Sequence, residues 1–242
     1  MYWICWKNNV RIINCSRGWN TYSFALQAAI SNYSGLLVCA AGNSGVDNDS
    51  NPLYPASYDL PNIISVGALK SENNIIKIMD GLDSNGNLVR SNYGATSVDL
   101  FAPGQNIVST YKDGGYDIDS GTSFAAPFVT GVAAMILSIV PDLSIRELKI
   151  TILENVTSMT ILSNKCVTGG MLNAEAAVKN IHRHNFIYLY DSGEYHRGEC
   201  SCGDIDIQPH TRRRNPSGGM ICTKCGGTSL LVNCIKKEEE EY

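Results

Sequence analysis

Gly121-Thr122-Ser123-Phe124-Ala125-Ala126-Pro127 places one serine between a glycine and a long apolar segment, Phe124–Val140. The segment predicts a helix that is too apolar for a surface position, so we expect it to pack against a sheet. A helix N-terminus carries unpaired N–H groups and a partial positive charge, which suits a serine that presents its oxygen to a carbonyl. Pro127 is expected in the first helical turn, where its missing N–H is not needed.

Two other interpretations of this stretch give Ser123 no catalytic role. Ser123 could be an ordinary N-cap of a buried helix, since serine is favoured at that position. The apolar segment could also cross a membrane, because it is uncharged. Its length is near the lower limit for a span, however, and it contains Pro127, Thr130 and Gly131.

A second polar side chain follows an apolar run upstream. Leu36–Ala40 predicts a buried strand, and Gly42, Asn43 and Gly45 predict a turn after it. Asn43 would then lie at the carboxyl end of a strand, where open α/β sheets build their sites. Its amide could donate to an oxyanion, although an asparagine taken alone is more typical of a turn.

The order of elements predicts an α/β fold. The strand Val10–Asn14, the helix Tyr22–Ser31 and the strand Leu36–Ala40 form a βαβ unit, which implies a parallel sheet. Further predicted elements are the strand Ile63–Leu69, a helix from the Ser144–Glu147 capping box through Leu153, and the helix Leu172–Lys179. We therefore expect three layers: a mostly parallel sheet with helices on both faces.

Several segments, in order along the chain, resemble the subtilisin-like serine peptidases, or subtilases (peptidase S8 type). The resemblance covers about Trp3 to Lys179. The segments are Val10–Gly18, Ala40–Asn43, Tyr54–Ala56, Ile64–Ala68, Ser91–Gly94, Asp99–Gly104, Gly121–Pro127 and Gly169–Ala174. So many matches in one order make chance a poor explanation.

The resemblance implies roles for particular residues. Ser123 would be the nucleophile of peptide-bond hydrolysis through an acyl-enzyme, and Asn43 the side-chain half of the oxyanion hole. A polypeptide substrate would lie along Ser16-Arg17-Gly18, with Ala40-Ala41-Gly42 as one wall of a side-chain pocket. The family usually has an apolar residue where this chain has Arg17, so acidic substrate side chains become conceivable. The resemblance also implies a cis Tyr54–Pro55 bond.

The family's aspartate and histidine are missing from this pattern. In subtilases the triad runs Asp, His, Ser along the chain. Here the histidines are His182, His184, His196 and His210, all after Ser123 and outside the resemblance. The chain thus resembles the C-terminal portion of a subtilase, N-terminally incomplete, and nothing in the spacing brings His182 or His184 to Ser123. We expect it to be inactive alone. The N-terminal part, encoded in frame upstream or supplied as a separate N-terminal fragment, would bring both groups. The alternative is a non-catalytic binding or scaffold protein with a decayed subtilase fold and a metal-ribbon interaction module.

Composition changes near His182, which predicts three regions: a peptidase-like domain at 1–181, a cysteine-rich module at 182–235 and an acidic tail at 236–242. Cys200, Cys202, Cys222 and Cys225 resemble the paired knuckles of a zinc ribbon, and a structural zinc could hold so short a module together. His196 or His210 could replace one thiolate. Disulfides, or cysteines in a tail, are the alternatives.

The overall composition excludes few classes of function. The chain has 242 residues and a net charge of −4, which gives no general argument for nucleic-acid or membrane binding. Arg212-Arg213-Arg214 is more typical of a solvated loop than of an anion site. Cys5, Cys15, Cys39 and Cys166 are scattered and are interpreted as small buried hydrophobic residues. The sequence indicates neither a cellular compartment nor a calcium site.

Overall fold

The computed structural model describes residues 8–181 and, beyond them, the backbone of residues 187–190, 195–199, 205–209, 212–214 and 220–222. The chain divides into two units, Met1–His182 and Arg183–Tyr242.

The first unit is built on a seven-stranded, mostly parallel sheet. Its strands are β1 (Ile12–Cys15), β2 (Leu36–Ala40), β3 (Ile63–Glu72), β4 (Ile75–Ile78), β7 (Leu100–Pro103), β10 (Thr157–Ser158) and β11 (Gly170–Met171). Along the sheet the order is β1, β2, β3, β7, β11 and β10, with β4 pairing antiparallel to β3. Two hairpins lie outside the sheet: β5 (Asp80–Leu82) with β6 (Leu88–Arg90), and β8 (Ile107–Thr110) with β9 (Tyr116–Asp119).

Helices cover both faces of this sheet, as the sequence predicts. They are α1 (Phe24–Ser31), α2 (Thr122–Ile139), α3 (Ile145–Glu154) and α4 (Ala174–Lys179), with single 3₁₀ turns at Lys112–Gly114 and Thr160–Leu162. One face of β2 packs beneath α1, and the other packs against α2. Side chains alternate along a strand, so Leu37 and Cys39 enter the first layer of core while Leu36 and Val38 enter the second.

Local signals fix several boundaries. Leu36–Ala40 is a fully buried strand with the predicted limits. Ser144 and Glu147 form the predicted capping box, which satisfies N–H groups at the start of α3. The Tyr54–Pro55 bond is cis, as the family resemblance implies.

Other boundaries differ from the prediction. β1 runs from Ile12 to Cys15 rather than from Val10 to Asn14, because its register with β2 pairs Cys15 with Cys39. The last helix begins at Ala174, since Asn173 is its N-cap and the N–H of Leu172 bonds to the carbonyl of Phe101 instead.

The helix α2 is, among the described residues, the one long and apolar enough to cross a membrane by length and composition. It lies across β1, β2, β3 and β7, and it buries Val129, Ala133 and Ile136 completely. A helix in the core of a globular protein can be equally long and apolar, and these buried side chains place α2 in the core of the first unit.

In the second unit, β12 (Ile187–Tyr190), β13 (Tyr195–Glu199) and β14 (Ile205–Pro209) form an antiparallel sheet. β15 (Arg212–Arg214) pairs antiparallel with β16 (Met220–Cys222).

Candidate active site

Ser123 is the second residue of α2 and is half-buried. The helix was expected to begin at Phe124, and this was wrong: Gly121 is the N-cap and Thr122 the first helical residue. Pro127 consequently lies in the second turn, not the first. Among the described residues, the N–H of Ser123 has no acceptor, as expected for the first turn of a helix. This amide is therefore available to donate at the helix N-terminus, beside the Ser123 hydroxyl.

The position of Pro127 changes the hydrogen bonding of Ser123. In a regular helix, the N–H of residue 127 would donate to the carbonyl of Ser123, but proline has no N–H. The hydroxyl of Ser16 donates to that carbonyl instead, at 2.9 Å. In return, the Ser123 hydroxyl donates to the carbonyl of Ser16, at 3.3 Å. The end of β1 and the first turn of α2 are thus joined by two reciprocal bonds.

Asn14, a polar residue of β1, extends this connection. Asn14 Nδ2 donates to the Ser16 hydroxyl at 2.9 Å, and Asn14 Oδ1 accepts from the hydroxyl of Thr130 at 2.9 Å. Asn14 and Ser16 share the strand face that looks toward α2. The contacts hold α2 to β1 at two points along the helix, Ser123 and Thr130.

Asn43 follows β2 and faces the start of α2. Its Oδ1 accepts from the main-chain N–H of Thr122 at 2.8 Å and from the Thr122 hydroxyl at 2.9 Å. The same hydroxyl accepts from the N–H of Gly42 at 3.1 Å. Because a main-chain N–H can only donate, it fixes which end of the Asn43 amide is the oxygen. The two protons of Nδ2 remain to donate elsewhere.

Gly121 allows the Asn43 amide to lie close to the start of α2. Its φ is 158°, and a Cβ at this position would lie 3.1 Å from Asn43 Nδ2. A side chain there would press on the amide group that faces the site.

The loop after Asn43 is fixed by a buried amide. Asn92 Oδ1 accepts from the N–H groups of Ser44 and Val46, and its Nδ2 donates to the carbonyl of Ala41 at 3.1 Å. Asn92 is only 2% exposed, so its bonds stabilise the turn from the core side. Sequence reasoning did not give it a role, because its partners lie more than forty residues away.

The predicted substrate wall is only partly exposed. Ala40 and Ala41 are buried, whereas Gly42 is half-buried and lines a cavity of about 450 Å³ together with Asn43, Leu53 and Asn92. A Cβ on Gly18 would lie 2.6 Å from Leu53 Cδ2, and one on Gly42 would lie 2.9 Å from the same atom. The Leu53 side chain therefore lies in close contact with both glycines.

The remaining predicted substrate residues lie beside this wall. Arg17 and Gly18 are exposed, and Ser16 is half-buried against α2. Ser16, Asn43 and Ser123 therefore lie together at the N-terminus of α2, and Arg17 and Gly18 continue from that point.

No general base is present in the described part of this site. Residues 8–181 contain no histidine, and no carboxylate among them bonds to the Ser123 hydroxyl. Within the same residues, no group of three histidine, cysteine or acidic side chains could hold a metal ion.

Comparisons with known proteins identify relatives of this chain. The sequence profile of the subtilase family matches residues 1–179. Subtilisin-like protease 2 of Plasmodium falciparum is 33% identical over 186 residues, which cover 72% of this chain and 13% of that protein. Subtilisin DY of Bacillus licheniformis is 35% identical over 178 residues, covering 72% of this chain and 58% of the relative.

Solved structures give the same result. A chain in a structure that describes subtilase cytotoxin SubAB assembly superposes with a TM-score of 0.59 at 32% identity, over 69% of this chain and 57% of that one. The A-subunit of the AB5 toxin from E. coli superposes with a TM-score of 0.62 at 31% identity, over 70% and 59%.

The chain belongs to the subtilase family. It spans a little over half the length of the bacterial subtilisin and of the solved structures that it matches. The match is to the C-terminal part of the subtilase catalytic domain, and the fold of the first unit is that of a subtilase.

The predicted zinc site of this subtilase lies outside the described residues. Cys200, Cys202 and Cys225 are not among them. Cys222 ends β16, where its backbone pairs with Arg212, and its side chain is not described. The side chains of the four histidines also lie outside the described part of the chain.

Proposed function

We propose that this chain carries the nucleophile and the oxyanion-binding half of a subtilisin-like serine endopeptidase. The single observation that supports this most is the relation between Asn43 and Ser123. Thr122, the residue before Ser123, fixes the oxygen end of the Asn43 amide, so that Nδ2 is available beside the helix N-terminus. A serine that only capped the helix would not need an oriented Asn43 amide beside it.

The chemistry requires the Ser123 hydroxyl to attack the carbonyl carbon of a peptide. The negative charge that forms on the carbonyl oxygen would meet the protons of Asn43 Nδ2 and the N–H of Ser123. Donors oriented in advance and placed at a helix N-terminus stabilise that charge without rearrangement. A serine hydroxyl is a weak nucleophile until a base removes its proton. The base and its orienting carboxylate would come from outside residues 8–181.

The substrate would lie as an extended strand along Ser16-Arg17-Gly18. The Ser16 carbonyl accepts from the Ser123 hydroxyl in the structure, and the same carbonyl could accept an N–H of a bound peptide. The peptide N–H would then replace the Ser123 hydroxyl on this carbonyl, so that substrate binding and activation of Ser123 would occur together. Gly18 and Gly42 flank the Leu53 side chain, which would restrict the size of a substrate side chain inserted between them.

A separate N-terminal polypeptide is our proposed source of the base and carboxylate. Among the described strands, β1 pairs with β2 alone, so its outer edge is open to a further strand. The helix α2 also exposes Phe128, Met135 and Ile139 on one side. Both surfaces adjoin the element that carries Ser123, and a polypeptide that covered them could reach the Ser123 hydroxyl.

The experiment compares the 242-residue chain with the same chain extended by the sequence encoded directly upstream of Met1. A peptide ester and a peptide anilide serve as substrates, and Ser123→Ala is made in both proteins. We expect the chain alone to match its Ser123→Ala variant, and the extended chain to hydrolyse both substrates only when Ser123 is present.

Two results would reject the proposal. One is a sequence upstream of Met1, neighbouring genes included, that encodes no aspartate followed by a histidine in the subtilase order. The other is a folded extended chain, checked by circular dichroism, whose rate is unchanged by Ser123→Ala. Either result favours the non-catalytic binding or scaffold protein.

A further inference from the structure

Cys15 and Cys39 lie directly opposite each other on the neighbouring parallel strands β1 and β2. Adjacent strands are about 4.8 Å apart, which is within the Cα separation that a disulfide spans, roughly 4.4 to 6.8 Å. Both side chains lie on the same face of the sheet, in the core cluster that contains Ile13 and Ile30. The two thiols are therefore neighbours in space, although 24 positions apart in the sequence.

The two thiols differ in accessibility. Cys39 is fully buried, whereas Cys15 is half-buried and its thiol donates to the carbonyl of Arg17 at 3.6 Å. Burial raises the pKa of the Cys39 thiol well above its ordinary value, and the adjacent Cys15 raises it further. A dissolved oxidant would therefore meet Cys15 first, while Cys39 stays protonated behind it.

Cys166 provides a contrast within the same unit. It lies in a different core cluster, with Thr168 and the carbonyl of Gly170 as sulfur contacts. Burial raises the pKa of its thiol as well. Among residues 8–181 the cysteines are Cys15, Cys39 and Cys166, so only the first two can be oxidised as a pair.

We propose that Cys15 and Cys39 are a redox-active dithiol that closes to a disulfide when the protein meets a peroxide. The Cys15 sulfur attacks one oxygen of hydrogen peroxide and the O–O bond breaks. The departing hydroxide takes the Cys15 thiol proton and leaves as water, so that Cys15 becomes a sulfenic acid. The Cys39 sulfur then attacks the Cys15 sulfur. The S–O bond breaks, and the departing hydroxide takes the Cys39 proton to form a second water. One peroxide is reduced for each pair of thiols oxidised.

The location of the pair would place the disulfide next to the candidate active site. Cys15 precedes Ser16, which bonds to Ser123, and Cys39 precedes the segment that leads to Asn43. A disulfide would link the two strands at the positions where both enter the candidate active site. The oxidation itself does not depend on Ser123 acting as a nucleophile, so it can be tested even if the chain has no peptidase activity.

The test uses the whole chain, reduced and then exposed to hydrogen peroxide. Remaining thiols are alkylated and the protein is digested with trypsin. Cleavage after Arg11, Arg17 and Lys70 places Cys15 in peptide 12–17 and Cys39 in peptide 18–70. We expect the two peptides joined, with a mass below their sum by two hydrogen atoms, and released again by dithiothreitol. In Cys39→Ser, a sulfenic-acid reagent should instead label Cys15, and Cys166→Ala should leave the linked pair unchanged.

Three outcomes would overturn the proposal. Cys15 and Cys39 could both remain alkylated at peroxide concentrations that oxidise other cysteines. Cys15 could be linked to a cysteine other than Cys39. Cys15 could also reach the sulfinic acid without any link to Cys39. The wild-type protein supplies all three readouts, so none of them depends on a variant that folds.

Discussion

The hydroxyl of Ser16 donates to the main-chain carbonyl of Ser123 at 2.9 Å, in the place of a helical N–H that Pro127 lacks. A strand residue thus completes the hydrogen bonding of the helix that carries the candidate nucleophile. The contact has consequences for stability that do not require the protein to be active.

Ser16→Ala should lower the free energy of unfolding by about 1 kcal/mol, because the half-buried Ser123 carbonyl loses its donor. Urea unfolding followed by circular dichroism measures the change. Ser16→Thr retains the hydroxyl and should restore most of the loss. Ser138→Ala is the matched control, since its hydroxyl bonds to the carbonyl of Met135 on the exposed side of α2, and it should change stability by less than about 0.5 kcal/mol. Equal effects of Ser16→Ala and Ser138→Ala would contradict the role given to Ser16.

Asn43→Leu should lower kcat of a reconstituted enzyme by about 10² to 10³ with little change in KM, since the donor acts on charge that forms in the transition state. This magnitude is carried over from the loss of an oxyanion donor in a subtilisin, a relative of this protein. Thr122→Ser, which keeps the hydroxyl bonded to Asn43, should retain most of the activity. A full kcat in Asn43→Leu would remove Asn43 from the mechanism.

Imidazole added to the 242-residue chain should produce a small, concentration-dependent ester hydrolysis that Ser123→Ala lacks. The dissolved base replaces the missing one, but a positioned group is worth an effective concentration of about 10⁵ M or more, so the rescue stays far below ordinary protease rates. Initial rates measured for both proteins across an imidazole series give the difference. Identical slopes would mean that the Ser123 hydroxyl is not reactive in this site.

Features with a local cause were predictable from the sequence. The strand Leu36–Ala40 follows from an apolar run that ends in a turn, and the capping box at Ser144 follows from residue types three positions apart. The start of α2 was not predictable in this way. Thr122 is helical because its N–H and hydroxyl bond to Asn43, which lies 79 positions earlier.

The same reasoning explains what was missed within the candidate site. The sequence pointed to Ser123 and Asn43 through short motifs and a family resemblance. The contacts that position them come from Ser16 and Thr122, and they depend on how β1, β2 and α2 are placed in space. The pairing of Cys15 with Cys39 likewise requires the register of two strands, so both cysteines were interpreted only as hydrophobic residues.

The cysteine-rich segment should bind one zinc ion per chain through Cys200, Cys202, Cys222 and Cys225. Metal analysis of the reduced, purified protein checks the stoichiometry, and zinc release on addition of a thiol-alkylating reagent checks the ligands. Cys222→Ser should lose the metal, whereas Cys166→Ser, in the first unit, should retain it. Protein without zinc, with all four thiols alkylated at once, would reject the site.

Lys149→Met should destabilise the fold most near neutral pH. Burial raises the pKa of Asp99 above its ordinary value of 3.8, and the Lys149 ammonium, with its Nζ 3.4 Å from Asp99 Oδ1, opposes that rise. Without Lys149, the pKa of Asp99 should increase further, and the ionised carboxylate should cost about 3 kcal/mol of unfolding free energy at pH 7.

The pH dependence gives the sign of this effect. A folded-state pKa above the unfolded value means that the folded protein takes up the proton first as the pH falls. The deficit of Lys149→Met relative to the wild type should therefore shrink as the pH is lowered toward the ordinary pKa of an aspartate. Urea midpoints from pH 7.5 to 4.5 measure it. Lys179→Met breaks an exposed pair with Glu175, whose side chains are 69% and 76% exposed, and should change stability by less than about 0.5 kcal/mol throughout. A deficit in Lys149→Met that stays constant over this range would show that the Asp99 carboxylate is not the group left uncompensated.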